Sequence, residues 1–278
     1  MKNTVKTFQE FKTKQAKISM LTAYDYTTAK LIEQAGINGI LVGDSLGMTM
    51  LGYPDTLSVT MDDMIHHAQA VTRATKETFV VVDLPFMSYH TSITEAVANA
   101  GRLVKEGHAQ AVKLEGGVSF TSKIKAITQA SIPVMGHLGL TPQSVNVFGG
   151  FKVQGKTLSN AQQLLKDALA IEAAGAFAVL LEGIPDKLAA MITAQLTIPT
   201  IGIGAGSGTD GQILVYQDML AMTGNKYPKF VKQFTNLGEQ MKSAFQRYDQ
   251  EVKNLQFPLQ EHSYHMSPEV YEKITKEV

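Results

Sequence analysis

Four runs of Val, Ile and Leu end in an acid: GILVGDS at Asp44, FVVVDLP at Asp83, AVKLEGG at Glu115 and FAVLLEG at Glu182. Short apolar runs bounded by Gly or Pro read as fully buried strands. A carboxylate at the end of such a strand is a poor packing choice, because a buried charge needs a partner. In a closed parallel barrel all these ends open on one face, the face that carries chemistry. Acids meeting at one point repel each other unless a cation holds them. Asp44, Asp83 and Glu115 therefore predict a hard, oxygen-preferring metal such as Mg²⁺. Helix capping is the plainer alternative and would account for one or two of them. It fits Glu115 poorly, since Glu is not a favoured cap and Gly116-Gly117 follows.

Lys113 precedes Glu115 by two residues, so period-two alternation points both side chains to one face. A buried ammonium needs an anion, which a bound carboxylate or the neighbouring acids would supply. A purely structural Lys–acid pair is the alternative. His137, in VMGHLGLTPQ, ends another apolar run; it shares a face with the acids and is expected to contact substrate, a satisfied core histidine being the alternative. Glu182 is then the spare carboxylate for general-base work. Ser45 offers a hydroxyl and a backbone N–H to an anionic ligand. Asp25, after Tyr24, is expected to cap the next helix.

The elements that must position these residues alternate. ISMLTAYD, GILVGDS, FVVVDLP, AVKLEGG, IPVMGHLG, FAVLLEG, IPTIGIGAG and QILVYQDML read as strands, the last equally as a helix. TAKLIEQAG, TMDDMIHHAQAVTRAT, SITEAVANAGRLVKEG, SNAQQLLKDALAIEAAG and DKLAAMITAQ read as helices between them. Such alternation argues a parallel sheet with right-handed crossovers, and about eight units favour a (β/α)8 TIM barrel. Residues 4–17 predict an amphipathic lead-in helix. We expect one domain over 1–278, with the barrel core at about 18–222 and a polar, helical C-terminal segment at about 224–278. That segment would pack on the barrel, close it, or contact another subunit.

The chain has 278 residues, 44% of them hydrophobic, with Lys plus Arg at 25 and Asp plus Glu at 25. Zero net charge and no dense basic run argue against a nucleic-acid partner. The absence of Cys excludes disulfides, thiolate nucleophiles and thiolate metal sites. Neither a signal sequence nor a membrane span is legible, so a cytoplasmic protein with no membrane partner is expected.

Several features take a bland reading. GFKVQGKT, from Gly150 to Thr157, spells a phosphate-binding loop. Its preceding SVNVFG is a poor strand, though, and Ser159-Asn160 look like the true helix cap. GSGTDG, from Gly206 to Gly211, follows a late strand and reads as a tight turn or, weakly, a phosphate site. His66, His67, His262 and His265 read as surface positions. The methionines from Met48 to Met64 are expected to pack a loop over the site.

VGDSLGM, VVDLP, VKLEGG, VMGHLGLTPQS, GGFKVQGK, LLEGIP and IGIGAG…TDGQILV, in that order, resemble the ketopantoate hydroxymethyltransferase family. The likeness runs from about residue 3 to about 262. It implies a barrel related to the phosphoenolpyruvate mutase and isocitrate lyase superfamily. It implies transfer of a one-carbon unit from 5,10-methylenetetrahydrofolate to 3-methyl-2-oxobutanoate, with Mg²⁺, in cytoplasmic homo-oligomers that are commonly decamers. By the same resemblance Asp44, Asp83 and Glu115 match the metal carboxylates. Asp44, Ser45, Asp83, Lys113 and His137 match keto-acid contacts, and Glu182 matches the base. GGFKVQG occurs in that family without nucleotide binding. The chain departs at its end, where EHSYHMSPEVYEKITKEV runs past the usual terminus. Rival readings are a lyase or mutase of the same superfamily, a P-loop hydrolase and a silent barrel. Leu84-Pro85-Phe86 after Asp83 and the lack of Cys weigh against the first, and the complete polar set weighs against the last.

Overall fold

A computed structural model describes residues 2–224 and 226–277. Eight parallel strands close in sequence order, β1 pairing with β8. They are β1 Ile18–Thr22, β2 Gly39–Val42, β3 Phe79–Asp83, β4 Ala111–Glu115, β5 Val134–Gly139, β6 Ala178–Glu182, β7 Thr200–Ile203 and β8 Gly211–Leu214. The barrel is wrapped by α1 Val5–Thr13, α2 Tyr26–Gln34, α3 Leu46–Thr49, α4 Met61–Ala74, α5 Ile93–Lys105, α6 Thr121–Gln129, α7 Val145–Phe148, α8 Leu158–Ala173 and α9 Asp186–Gln195. Then come α10 Tyr216–Met219, α11 Leu237–Lys253 and α12 Pro268–Glu277.

Two apolar sets explain the closure. Ile40, Val42, Val80, Val82, Val112, Leu114, Val179 and Leu181 face outward and pack under the helices. The alternate residues Met20, Leu41, Val81, Met135, Leu180, Ile201 and Ile213 fill the interior. Burial on both faces is why the strands read as continuous apolar runs instead of alternating ones. The lead-in helix plugs the N-terminal end: Phe8 is fully buried, with ring centroids 5.3 Å from Phe79 and 6.2 Å from Phe177. Thr4 starts that helix with a reciprocal capping box to Thr7.

The ambiguous last segment is both things in turn, β8 and then the single turn α10. TSKIKAITQ forms α6, a crossover helix that starts without a capping side chain and was not picked out of the sequence. Between β7 and β8 there is only a turn, so this crossover is shorter than the dozen residues parallel neighbours usually need. Gly204 and Gly206, at φ +62° and +77°, make it possible, and a Cβ on Gly206 would lie 2.5 Å from Asp186. GSGTDG therefore leads into a strand, and the helix N-terminus that a dinucleotide site requires is missing there.

Three local expectations are corrected. The cap of α8 is Thr157, whose hydroxyl accepts the Asn160 N–H; Ser159 and Asn160 lie inside the first turn. His67 is half-buried, with Nδ1 2.7 Å from the Tyr24 carbonyl, whereas His66 is exposed as expected. Among Met48–Met64, Met64 is fully buried beneath the helices and Met48 and Met50 are exposed, so the stretch does not act as one cover. Asp25 does cap α2, accepting the Thr28 N–H.

Candidate active site

Strand register explains the assembly. Asp83, Lys113, Glu115, His137 and Glu182 share the inward parity of Val81, Ala111, Met135 and Leu180. Asp83 stands in register beside Lys113, Glu115 beside His137, and Glu182 beside Gly139. Adjacent parallel strands thus deliver an acid next to a base twice. Asp44 lies two residues past β2, where its backbone N–H donates to Asp83 Oδ2 at 3.1 Å. Ser45 follows, its Oγ 2.7 Å from the Tyr24 hydroxyl.

These groups line one cavity of about 100 Å³ at the C-terminal mouth, with Thr22, Pro142 and Val215 among its walls. That is well under the ~300 Å³ at which ordinary ligand pockets begin, so it suits a substrate of few heavy atoms. A larger cleft of about 520 Å³ lies at the other end of the barrel beside α1 and contains none of the inward acids. None of Met48, Met50, Met61 and Met64 lines the cavity.

Lys113 Nζ is 2.8 Å from Asp83 Oδ1, both side chains being 3% exposed. The ammonium sits off the hydrogen-bonding axis, because Oδ1 receives no aligned hydrogen bond despite the short contact. Burial opposes the charge on Lys113, but Asp83, Glu115 and Asp44 outweigh it and hold the ammonium above its ordinary value. Burial, with the charges of Asp83 and Glu115, drives the Asp44 carboxyl well above the usual carboxylate range. Burial raises Asp83 too, against the pull of Lys113. Three carboxylates face one ammonium, and the cluster is short of positive charge.

His137 lies between two acids, Nδ1 3.4 Å from Glu115 Oε1 and Nε2 3.4 Å from Glu182 Oε2. Its Nδ1 is also 3.3 Å from Lys113 Nζ. Burial and Lys113 push the imidazolium down, but Glu115 and Glu182 prevail and lift it to about 9. The acid contacts are electrostatic, since Glu115 Oε1 and His137 Nε2 make no aligned hydrogen bond. Glu182 is the most open of the four acids, at 17% exposure.

The donor set fits a hard divalent cation: buried carboxylate oxygens, two of them without aligned hydrogen bonds, and a charge deficit. Among the described residues no three acidic or imidazole groups already stand in metal-binding geometry. Mg²⁺ commonly binds through one or two carboxylates and keeps several waters. Helix capping does not account for the three acids. Ser45, at the start of α3, makes no side-chain cap, and Glu115 meets a 3₁₀ turn from the far side through the Gln143 N–H.

Two residues of this network were not singled out from the sequence. Gln143 Nε2 donates to Asp44 Oδ2 at 2.8 Å and to the Leu84 carbonyl at 3.0 Å, and Tyr89 donates to Gln143 Oε1 at 2.7 Å. Gln143 stands in VMGHLGLTPQS, but nothing local marks a loop amide as buried. The GFKVQGKT segment begins eleven residues past the end of β5 and is tied down by the Gln154 N–H to the Gly183 carbonyl. It lacks the preceding strand that a phosphate loop requires.

Residues 2–260 match the family model described as ketopantoate hydroxymethyltransferase. A 3-methyl-2-oxobutanoate hydroxymethyltransferase of Enterococcus faecalis is 63% identical over 99% of this chain and 100% of its own length. One of Clostridium acetobutylicum is 62% identical with the same coverage. Among solved structures, a phosphonopyruvate hydrolase complexed with oxalate and Mg²⁺ superposes with TM-score 0.62 at 14% identity, covering 99% of this chain and 96% of that one. A 2,3-dimethylmalate lyase of the phosphoenolpyruvate mutase/isocitrate lyase superfamily gives 0.61 at 15%, covering 99% and 95%. These two share the closed-barrel fold of this chain.

Proposed function

The chain belongs to the ketopantoate hydroxymethyltransferase family and is an enzyme of that class, and we propose that it moves a one-carbon unit from 5,10-methylenetetrahydrofolate to carbon 3 of 3-methyl-2-oxobutanoate, with Mg²⁺, giving 2-dehydropantoate. The observation that carries the reading is a charge-deficient mouth: the buried Lys113–Asp83 pair with Asp44 and Glu115 beside it, around about 100 Å³.

Asp44, Asp83 and Glu115 would hold the cation, which when bound supplies positive charge to the keto and carboxylate oxygens of the substrate. Lys113 adds a fixed ammonium near the same oxygens, and Ser45 offers a hydroxyl to the carboxylate. His137 holds the substrate from the far wall and orients Glu182. Glu182 removes the carbon-3 proton, as its openness and its position beside His137 allow. The carbanion so formed attacks the methylene carbon of the folate as the bond from that carbon to N10 breaks. Water then displaces N5 from the same carbon and leaves its oxygen there as the hydroxyl, and tetrahydrofolate departs with the two protons given up by carbon 3 and by water.

By the same reading the enzyme is cytoplasmic and a homo-oligomer, decameric as in the family. Exposed Phe245, Tyr248 and Leu255 on and after α11 are consistent with subunit contacts, and no described helix is long and apolar enough to cross a membrane.

The test is loss of the carbon-3 proton of 3-methyl-2-oxobutanoate in D₂O, followed by NMR with and without Mg²⁺. Exchange is expected to need Mg²⁺. Glu182→Gln should still bind the keto acid but exchange at least ~10²-fold more slowly. Exchange at the wild-type rate in that variant would remove Glu182 from its role. If wild-type protein exchanges no proton even with tetrahydrofolate added, the whole reading fails.

A further inference from the structure

We infer that Gln143, oriented by Tyr89, is the positioning residue that holds the Asp44 and Glu115 carboxylates ready for the cation and the keto acid. The inference rests on the function proposed above and concerns how its site is held together. Gln143 is 5% exposed and uses every polar atom that reaches the site. Its two amide hydrogens go to Asp44 Oδ2 and the Leu84 carbonyl, at 2.8 and 3.0 Å. Its backbone N–H goes to Glu115 Oε2 at 3.0 Å. Its amide oxygen accepts from Tyr89 at 2.7 Å.

The amide has one sensible orientation, because Leu84 O and Asp44 Oδ2 are both acceptors and require the NH₂ end. Tyr89 enforces it. The single hydroxyl proton is drawn to Gln143 at 2.7 Å over the Glu115 carbonyl at 3.3 Å, while the Tyr89 oxygen accepts the Glu115 N–H at 3.1 Å. Gln143 thereby ties the loops after β2, β3 and β5 to the end of β4. It engages Asp44 Oδ2 and Glu115 Oε2 and leaves Glu115 Oε1 without a hydrogen bond, on the side of His137. Partners that orient ligating carboxylates typically alter metal affinity ~10–100-fold when removed.

A network that only stiffened the loops would change thermal stability and leave metal affinity alone. Calorimetric titration of Mg²⁺ into protein saturated with 3-methyl-2-oxobutanoate separates the two. Gln143→Met keeps the volume and removes the amide, and should weaken Mg²⁺ binding ~10-fold or more. At saturating Mg²⁺ its carbon-3 exchange should recover to within a few-fold of wild type, because Gln143 touches no reacting atom. Tyr89→Phe should weaken binding in the same direction. It should add nothing in the Gln143→Met background, since it acts through that amide. Wild-type binding with Gln143→Met within twofold of it overturns this inference alone. Wild-type protein that takes up no Mg²⁺ overturns the metal reading and this inference with it. If Gln143→Met does not fold, Tyr89→Phe decides: unchanged affinity in that variant overturns the inference.

Discussion

Replacing Lys113 with Met is the sharpest test of the electrostatics, because it removes the one fixed cation among three buried carboxylates. Lys113 Nζ and Asp83 Oδ1 are 2.8 Å apart at 3% exposure each. At an effective dielectric of about 20, a unit pair at that distance interacts by roughly 6 kcal/mol. The measured cost of stranding one partner of a buried pair is smaller, ~3–5 kcal/mol, because the orphan takes a proton or water enters. For a chain of this size that corresponds to a fall in Tm on the order of 10 °C. Burial already raises Asp83 and Asp44, so the stranded acids should take up protons readily. The loss should therefore be large at pH 8 and shrink towards pH 5. Added Mg²⁺ should restore more stability to the variant than to the wild type. Lys113→Met combined with Asp83→Leu should lie close to wild type, because the desolvation of both charges is relieved together. Urea unfolding at pH 5 and pH 8, with and without Mg²⁺, reads all of this. A single variant as stable as wild type at pH 8 without Mg²⁺ would refute the reasoning.

His137 provides a pH-dependent counterpart. Its folded-state value is raised to about 9 from an unfolded reference of about 6.5. The stability it contributes is then fully present below about 6.5 and is lost as pH rises through 9. The stability gap between wild type and His137→Gln should narrow across that window, as urea titrations at pH 6 and 9.5 would report; a gap that widens reverses the assignment. Phe8→Ala should cost ~3–5 kcal/mol by emptying the barrel floor, where Phe8 meets Phe79 and Phe177. Its carbon-3 exchange, measured well below the lowered Tm, should stay close to wild type, since Phe8 plugs the end opposite the mouth; a loss of exchange there would mean the floor and the site are coupled.

Strands β2 to β7 were legible because they are buried on both faces and therefore rich in Val, Ile and Leu, whereas β1 and β8 expose Ser19 and Gln212. The inward direction of Lys113 and Glu115 was legible because strand periodicity is fixed by backbone geometry alone. Acids at strand ends stood out because burial of a charge is costly, so their presence needs a reason. The α8 cap was misplaced by two residues because Thr157, Ser159 and Asn160 all qualify chemically, and only the turn geometry chooses among them. The helix α6 was missed because no capping side chain marks its start and Thr121, Ile124, Ile127 and Thr128 are β-branched, and the status of His67 depended on the distant Tyr24 carbonyl.

The sequence by itself determined an alternating α/β chain whose strand ends carry Asp44, Asp83, Glu115 and Glu182, with Lys113 sharing a face with Glu115. These follow from local periodicity and from the cost of burying charge. Only the tertiary structure decided which acid meets which base. Closure of the barrel in sequence order sets Asp83 beside Lys113 and His137 between Glu115 and Glu182. It also brought Gln143 to Asp44, 99 positions apart in the chain. Such pairings depend on interstrand register and loop packing, which no stretch of sequence contains, because each is a distance between segments and not a property of either.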